Sequence, residues 1–255
     1  MKALLLAGER RQKSPLIQDK AVPYKVMLPV CGKTMFERVF EVLKSVSLFE
    51  EIYVSGPPEL APVLKETYPL FSFRFLPQAT SPSVSVFFAL EEIATWPLFL
   101  TTADHVLLTG EIVSFFVKEA RAAKGALVVG VVPFSLVKKT YPEASRTTYR
   151  LKEDRFCSAN LYFLAGEEVK RALYFWREVE DKRKNPLKVV WSFGPGPLLR
   201  YLLGRLSLAE AFSLASKVLG CRVFPVVLPF ARAAVDVDDE ADLRLAQKIL
   251  SCQEG

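Results

Sequence analysis

The chain opens with an apolar run that ends in a glycine, and this feature restricts the fold more than any other. Residues 2–7 read Lys-Ala-Leu-Leu-Leu-Ala, and Gly8 follows them. A strand that is covered on both faces needs no alternation of polar and apolar residues, so such a run is typical of a parallel sheet. Glycine lets the backbone turn close to a ligand. We therefore expect a buried first strand that leads directly into a binding loop.

The segment after Gly8 is rich in cations. Its lysines and arginines are Arg10, Arg11, Lys13, Lys20 and Lys25. Ligands of open α/β sheets bind beside the carboxyl ends of the strands, and cations at that place suit the phosphate groups of a polyanion such as a triphosphate. A solvated basic loop is the alternative interpretation.

Apolar strand-like runs alternate with amphipathic helical patterns along the rest of the chain. This order predicts an α/β fold of the Rossmann-like type, with three layers (α/β/α) and a mostly parallel central sheet. The apolar segment 194–203, with the start of another helix after it, suggests a helical insertion. The 255 residues, 51% of them hydrophobic, are enough for one domain with a substantial core. The predicted strands cover 51–55, 71–76, 97–102, 125–132 and 222–228, and the predicted helices cover 34–46, 59–67 and 167–184. A capping box, Ser207 with Glu210, predicts the start of a further helix.

Carboxylates follow two of the predicted extended segments. Asp104 comes directly after the strand over 97–102, and alternation along 235–238 places Asp236 and Asp238 on one side of an extended segment. Carboxylate oxygens at a sheet edge suit Mg²⁺, so Asp104 is the first metal-ligand candidate, Asp236 the second and Asp238 the third. Asp239 and Asp242 fit a helix cap. The only histidine, His105, is expected to be an ordinary surface residue without a catalytic role.

Composition limits the remaining classes. The net charge of +6 suits an acidic small molecule, a nucleic acid or an anionic membrane about equally well. The basic residues are not interleaved with aromatic residues in a repeated stripe, so we expect no nucleic-acid partner. The four cysteines lack the spacing of a zinc site or a disulfide scaffold, so we expect reduced thiols. Without a signal peptide or a long apolar span, the expected location is the cytoplasm.

Motifs near both chain ends resemble those of the MobA-like NTP transferases, which have a GT-A-like fold. The resemblance rests on Leu4–Gly8, Tyr24–Lys25, Leu28–Val30, Gly32–Lys33, Glu37–Val39 and Asp236–Leu243. It implies that the backbone at Leu6, Ala7 and Gly8 contacts a nucleotide and that Lys25 binds its phosphates. Glu9 stands where the family usually has a second glycine, and either Arg10 or Arg11 takes the place of the family's arginine.

The resemblance also assigns roles to later residues. Ser83 and Ser85 open a predicted helix, where serines usually serve as caps, but in the family a serine at this place lies near the nucleotide. Ser158 and Asn160 are carried over as acceptor contacts. The chain then divides into a nucleotide-binding half (1–133), an acceptor half with the helical insertion (134–232), and a metal-ligand segment with a terminal helix (233–255).

The resemblance implies a Mg²⁺-dependent nucleotidyltransferase with Lys25, Asp104 and Asp236 as catalytic residues. Its substrates would be an NTP and a phosphorylated small-molecule acceptor, and pyrophosphate would be released. Two alternatives stay open: a glycosyltransferase of the same fold that uses a nucleotide sugar, and a non-catalytic nucleotide-binding protein. The apolar segment 194–220 is expected to be buried, with a homodimer contact or a peripheral membrane contact as alternatives.

Overall fold

The computed structural model describes residues 1–8, 15–17, 22–179 and 185–251. Within these ranges the protein has ten strands and ten α-helices, which fall into two compact units. The first unit comprises Met1–Ser114 with Val235–Gly255, and the second comprises Phe115–Ala234. The predicted division into 1–133, 134–232 and 233–255 separates the chain by the expected roles of its parts, and it stays a prediction.

The first unit is built on four parallel strands. Its strands are β1 (Lys2–Leu6), β2 (Pro29–Val30), β3 (Lys33–Thr34), β4 (Glu51–Gly56), β5 (Arg74–Pro77) and β6 (Leu98–Thr102). The parallel sheet has the order β6-β1-β4-β5, and β2 pairs separately with β3 in an antiparallel hairpin. Ala3, Leu4 and Leu5 are fully buried, so the predicted buried first strand is confirmed.

Helices cover the sheet of the first unit. They are α1 (Met35–Ser45), α2 (Leu60–Thr67), α3 (Pro82–Ile93), α10 (Glu240–Ser251), and the start of α4 (Gly110–Ala123), which continues into the second unit. The start of α1 shows the local cause: the Thr34 side chain accepts a hydrogen bond from the backbone N–H of Glu37. The apolar positions predicted from helical spacing, Phe36, Val39, Phe40 and Leu43, are all buried.

The second unit combines a small sheet with five further helices. Its strands are β7 (Leu127–Pro133), β8 (Tyr149–Arg150), β9 (Arg155–Leu164) and β10 (Val223–Val227), and its helices after α4 are α5 (Phe134–Thr140), α6 (Val169–Val179), α7 (Pro186–Trp191), α8 (Pro195–Leu202) and α9 (Leu208–Leu219). β7 pairs in parallel with β10 and antiparallel with β9, which also pairs antiparallel with β8. Helices α8 and α9 occupy the segment for which a helical insertion was predicted.

The predicted fold class, α/β with a mostly parallel sheet flanked by helices, is confirmed. The predicted strand over 71–76 was wrong in its bounds, because β5 begins only at Arg74. The Phe71 ring stacks on Phe40, and Phe73 meets the Phe36 ring edge to face. These contacts hold the residues before β5 in an aromatic cluster. In the described part of the chain, every helix is too short or too polar to cross a membrane.

Candidate active site

The parallel strands of the first unit end at one edge of their sheet. Leu6, the last residue of β1, is in register with Thr102, the last residue of β6. The loops that follow are tied together, because the backbone N–H of Ala103 donates to the carbonyl oxygen of Leu6 over 2.9 Å. This carboxyl edge is where ligands of open α/β sheets bind.

Lys25 reaches this edge and stands between two carboxylates. Its Nζ lies 3.0 Å from Oδ2 of Asp104 and 3.1 Å from Oδ1 of Asp238. Lys25 begins the short 3-10 helix Lys25–Met27, and its neighbours Val26 and Leu28 are 4% and 3% exposed. Burial of these two side chains fixes the backbone from which the ammonium group projects.

The two carboxylates keep Lys25 charged. Burial of the ammonium group disfavours its charged form, but attraction to Asp104 and Asp238, with their hydrogen bonds, raises the pKa of Lys25 above its usual value. Lys25 is therefore a fixed cation at neutral pH. Because it faces two carboxylates, the three groups together carry an excess of negative charge, which favours a further cation nearby.

Asp104 is held on both sides. Oγ1 of Thr102 donates a 2.6 Å hydrogen bond to Oδ1 of Asp104, while Oδ2 accepts the bond from Lys25. The backbone carbonyl of Asp104 accepts a hydrogen bond from the N–H of Val237 over 3.0 Å, which joins this loop to the segment before α10. Thr102 was not predicted from the sequence. The one pattern that could have indicated it is a hydroxyl side chain two residues before the candidate aspartate.

The segment before α10 presents its acidic side chains as the alternation predicted. Val235 and Val237 are fully buried, whereas Asp236 is half-buried and Asp238 is exposed. Asp238, the later choice of the two, contacts Lys25. Asp236 stays a prediction as a metal ligand.

Both acidic residues that were assigned to a helix cap accept backbone hydrogen bonds at the start of α10. Oδ1 of Asp239 accepts from the N–H groups of Ala241 and Asp242, as a cap does. The carboxylate of Asp242 is buried and accepts from the N–H of Asp238 over 3.1 Å. Asp242 thus fixes the backbone of the residue that contacts Lys25.

Glycine at the start of the loop after β1 leaves room for the Gln78 side chain. Gly8 is exposed, and a Cβ atom there would stand 2.9 Å from Oε1 of Gln78, which is too close for an unshifted side chain. Leu6 is half-buried and Ala7 is fully buried. Glu9, Arg10 and Arg11 lie outside the described residues. Gln78 was not expected to approach this loop, because the contact joins segments that are far apart in sequence.

The serines at the start of α3 hold the loop before it. The N-cap is Ser81, whose side chain accepts from the N–H of Val84. Ser85 accepts from the N–H of Ala79 and donates to the carbonyl of Ser81, and Ser83 lies 3.1 Å from Ser81 between their Oγ atoms. Ser83 and Ser85 are both buried. Their role in nucleotide binding stays a prediction.

Ser158 and Asn160, the predicted acceptor contacts, lie on β9 in the second unit. Ser158 is exposed, and its Oγ accepts a 3.1 Å hydrogen bond from the N–H of Asn160. Asn160 has a positive φ of 52°, and the pairing of β9 with β7 shifts register between Val129 and Val131. Such a bulge redirects side chains at the edge of a strand pair. The role of both residues stays a prediction.

The expectation of a surface position for His105 was wrong. His105 is 1% exposed, and its backbone N–H donates to the carbonyl oxygen of Thr102 in the turn after β6. That turn packs Val106, Leu107 and Leu108 into the core and draws the preceding histidine inward with them. Of the cysteines, Cys31, Cys157 and Cys221 are free thiols, and Cys252 lies outside the described residues.

Comparison with known proteins identifies the family to which this chain belongs. The MobA-like NTP transferase domain matches residues 3–155. A structure described as a hypothetical transferase from Thermus thermophilus is 32% identical, with a TM-score of 0.79 over 95% of this chain and 100% of that one. No curated protein sequence gives a significant match.

Two more distant structures share the fold. A CMP:2-keto-3-deoxy-manno-octonic acid synthetase complexed with CTP has a TM-score of 0.59 at 14% identity, over 99% of this chain and 100% of that one. A 4-diphosphocytidyl-2C-methyl-D-erythritol synthase from Anaerococcus prevotii has a TM-score of 0.58 at 12% identity, over 98% and 95%. The domain match covers more than half of the chain, and the chain therefore belongs to the MobA-like NTP transferase domain family.

Proposed function

We propose that the protein is a Mg²⁺-dependent nucleotidyltransferase, which transfers a nucleoside monophosphate from an NTP to a phosphorylated small-molecule acceptor. One observation carries the proposal: Lys25 Nζ lies 3.0 Å and 3.1 Å from the carboxylates of Asp104 and Asp238. A cation and two carboxylates at the carboxyl edge of a parallel sheet supply the charges that phosphate transfer needs. Family membership supports the reaction class, and the site residues support the chemistry.

The reaction needs no covalent intermediate. An oxygen of the acceptor phosphate would attack the α-phosphorus of the NTP and form a new P–O bond. The bond from the α-phosphorus to the bridging oxygen would break, and its electron pair would leave with pyrophosphate. The protein would act by positioning the substrates and by balancing their charge.

Lys25 is suited to balance charge rather than to accept a proton. Its pKa is raised by the adjacent carboxylates, so its ammonium group keeps all its protons at neutral pH. It would donate hydrogen bonds to phosphate oxygens and stabilise negative charge on the α-phosphate and the leaving pyrophosphate. Losing one such preorganised donor typically costs about 10²–10³-fold in rate.

The donor set at the site fits Mg²⁺. Among the described residues there is no cluster of three or more side chains suited to metal binding. Mg²⁺ usually takes only one or two carboxylates and completes its shell with water and substrate phosphates. Asp104, together with Asp238 or Asp236, would hold the ion. When bound, Mg²⁺ neutralises charge on the phosphate oxygens.

Further residues are proposed to bind the substrates. The exposed Gly8 and the adjacent backbone supply a surface that a nucleotide can approach closely. The proposed nucleotide contacts are Leu6, Ala7, Gly8, Arg10, Arg11, Ser83 and Ser85, and the proposed acceptor contacts are Ser158 and Asn160.

Release of pyrophosphate tests the reaction class. The protein is incubated with each NTP, Mg²⁺ and a panel of sugar and polyol phosphates, and pyrophosphate is measured with a coupled assay. We expect acceptor-dependent release with one nucleotide, lost in Asp104→Ala and retained in Lys33→Ala. Lys33 is a matched control because it is a half-exposed lysine that pairs with Glu41.

Two results would contradict the proposal. Transfer of a sugar from a nucleotide sugar, with release of a nucleoside diphosphate, would assign the protein to the glycosyltransferases of this fold. Tight Mg²⁺-NTP binding with no pyrophosphate from any acceptor would favour a non-catalytic nucleotide-binding protein.

A further inference from the structure

Helices α7 and α8 expose several large apolar side chains. Leu187 and Trp191 on α7 are 47% and 60% exposed, and Leu199, Leu202 and Leu203 on and just after α8 are 59%, 59% and 58% exposed. Single exposed apolar residues are normal on a protein surface, but a contiguous group marks an interaction surface. The sequence had suggested burial for segment 194–220, and these leucines contradict that expectation for α8.

Helical spacing gathers these side chains into two stripes. Residues three or four positions apart lie on the same face of a helix, which pairs Leu187 with Trp191 and Leu199 with Leu202 and Leu203. An open groove of about 380 Å³, lined by Asn185, Leu187, Lys188, Trp191 and Leu198, joins α7 to α8. We call the exposed residues of α7 and α8 the α7–α8 surface.

The other sides of both helices are anchored in the second unit. Val190 of α7 and Tyr201 of α8 are buried in a cluster with Phe156 and Leu206. The hydroxyl of Tyr201 also accepts a hydrogen bond from the backbone N–H of Arg150 over 3.2 Å. The exposed stripes are therefore the outward faces of helices whose inward faces are already packed.

The charge of this segment has one sign. From 185 to 209 the sequence contains Lys188, Arg200 and Arg205 and no aspartate or glutamate. Lys188 lines the groove itself, and Arg205 is exposed beyond α8. Arg200 forms an ion pair with Glu210 at the start of α9. An apolar surface bordered by cations is complementary to an apolar layer with an anionic border.

A second copy of this chain is a poorer match. A two-fold contact places the same surface of each copy against the other. Lys188 and Arg205 of both copies would then lie within one contact, and segment 185–209 offers no carboxylate to pair with them. Like charges facing each other across an interface oppose association.

We propose that the α7–α8 surface docks on an anionic lipid bilayer. Tryptophan and leucine on one helical face, with lysine and arginine beside them, is the composition of helices that lie in the bilayer interface. Trp191 and the leucines would enter the boundary between headgroups and acyl chains. Lys188 and Arg205 would contact anionic headgroups, each contributing favourable electrostatic energy that salt weakens.

Flotation with vesicles tests this docking. The protein is mixed with vesicles of phosphatidylcholine alone or of phosphatidylcholine with phosphatidylglycerol. We expect flotation only with phosphatidylglycerol, weakening with salt, together with a blue shift of tryptophan emission that Trp191→Phe removes. The double variant Leu199→Ser with Leu202→Ser should lower vesicle partitioning about tenfold or more, because less apolar surface leaves water.

The controls separate loss of docking from loss of folding. Leu70→Ser removes an 86% exposed leucine from the first unit and should leave flotation unchanged. The double leucine variant should keep the parental thermal midpoint, because both side chains are more than half exposed. Absence of flotation would overturn the proposal. So would equal flotation of the parental protein with neutral and with anionic vesicles, or equal flotation of the double variant and the parental protein. A dimer in solution that the double variant abolishes would overturn it in favour of a second copy.

Discussion

At the residue scale, the environment of Lys25 predicts how its loss affects the reaction. Lys25→Ala should lower kcat by about 10²-fold or more, since one preorganised donor to the phosphates is removed. The variant should still fold, because the side chains of Asp104 and Asp238 are 22% and 43% exposed and water can hydrate both carboxylates once the ammonium group is gone. Steady-state kinetics and a thermal melt of the same preparation check both parts. A variant with near-parental kcat would remove Lys25 from the proposed mechanism.

Thr102 gives a second prediction at this scale. Its hydroxyl holds Oδ1 of Asp104 over 2.6 Å, so Thr102→Val should leave the carboxylate less well oriented for a metal. Loss of such a supporting contact typically costs about 10–100-fold in metal affinity or activity. We expect Thr102→Val to need a higher Mg²⁺ concentration for half-maximal activity, and Thr102→Ser to restore the parental value. If valine and serine behave alike in a Mg²⁺ titration, Thr102 does not position Asp104.

Some residues of the candidate site could be identified from the sequence, and others could not. Asp104 follows a recognisable apolar strand, and the family resemblance identified Lys25; the structure brings the two into contact. The same pattern could not choose between Asp236 and Asp238, because alternation places both on one side. The path of the segment after Val235 brings Asp238 to Lys25, and contacts distant in sequence determine that path.

At the element scale, the first residues of helices were more predictable than the boundaries of strands. The capping box of α9 joins residues three positions apart, and both of its hydrogen bonds are present between Ser207 and Glu210. The start of β5 depends instead on the packing of Phe71 and Phe73 against α1, which no local pattern reveals. Local hydrogen bonds can be predicted from spacing, whereas packing partners cannot.

The capping box also predicts a dependence on pH. The backbone N–H of Ser207, with Arg200 and the Ser207 hydroxyl, lowers the pKa of Glu210 from 4.5 to about 2. Because the pKa is lower in the folded protein, the stabilisation is present above about pH 4.5 and is lost as the pH falls towards about 2. We expect Glu210→Gln to lower the thermal midpoint at neutral pH by an amount that shrinks across this window. A difference that stays constant from pH 6 to about 2 would contradict this role for the ionised Glu210.

At the scale of the whole molecule, the fold class was predictable and the division into units was not. Strands such as β1 and β7 are largely apolar runs, so the order of strands and helices can be predicted locally. The return of Val235 and the following residues to the first unit depends on contacts such as that between Val237 and Asp104. Such contacts between distant residues leave no local pattern.

Thermal stability can test the binding of Mg²⁺ and an NTP at Lys25, Asp104 and Asp238 without knowledge of the acceptor. The melting temperature is measured with CTP, GTP, UTP, ATP and dTTP, each with and without Mg²⁺. A ligand at 100 times its Kd stabilises the folded state by about 2.7 kcal/mol, which corresponds to a rise of about 5–10 °C for a chain of this size.

We expect a Mg²⁺-dependent rise in the melting temperature with one nucleotide, lost in Asp104→Ala and Asp238→Ala and kept in Lys33→Ala. Asp236→Ala, measured beside them, decides whether Asp236 or Asp238 shares the ion with Asp104. No rise with any nucleotide, or a rise that is independent of Mg²⁺ and unchanged in all three aspartate variants, would contradict binding of Mg²⁺ and an NTP at this site.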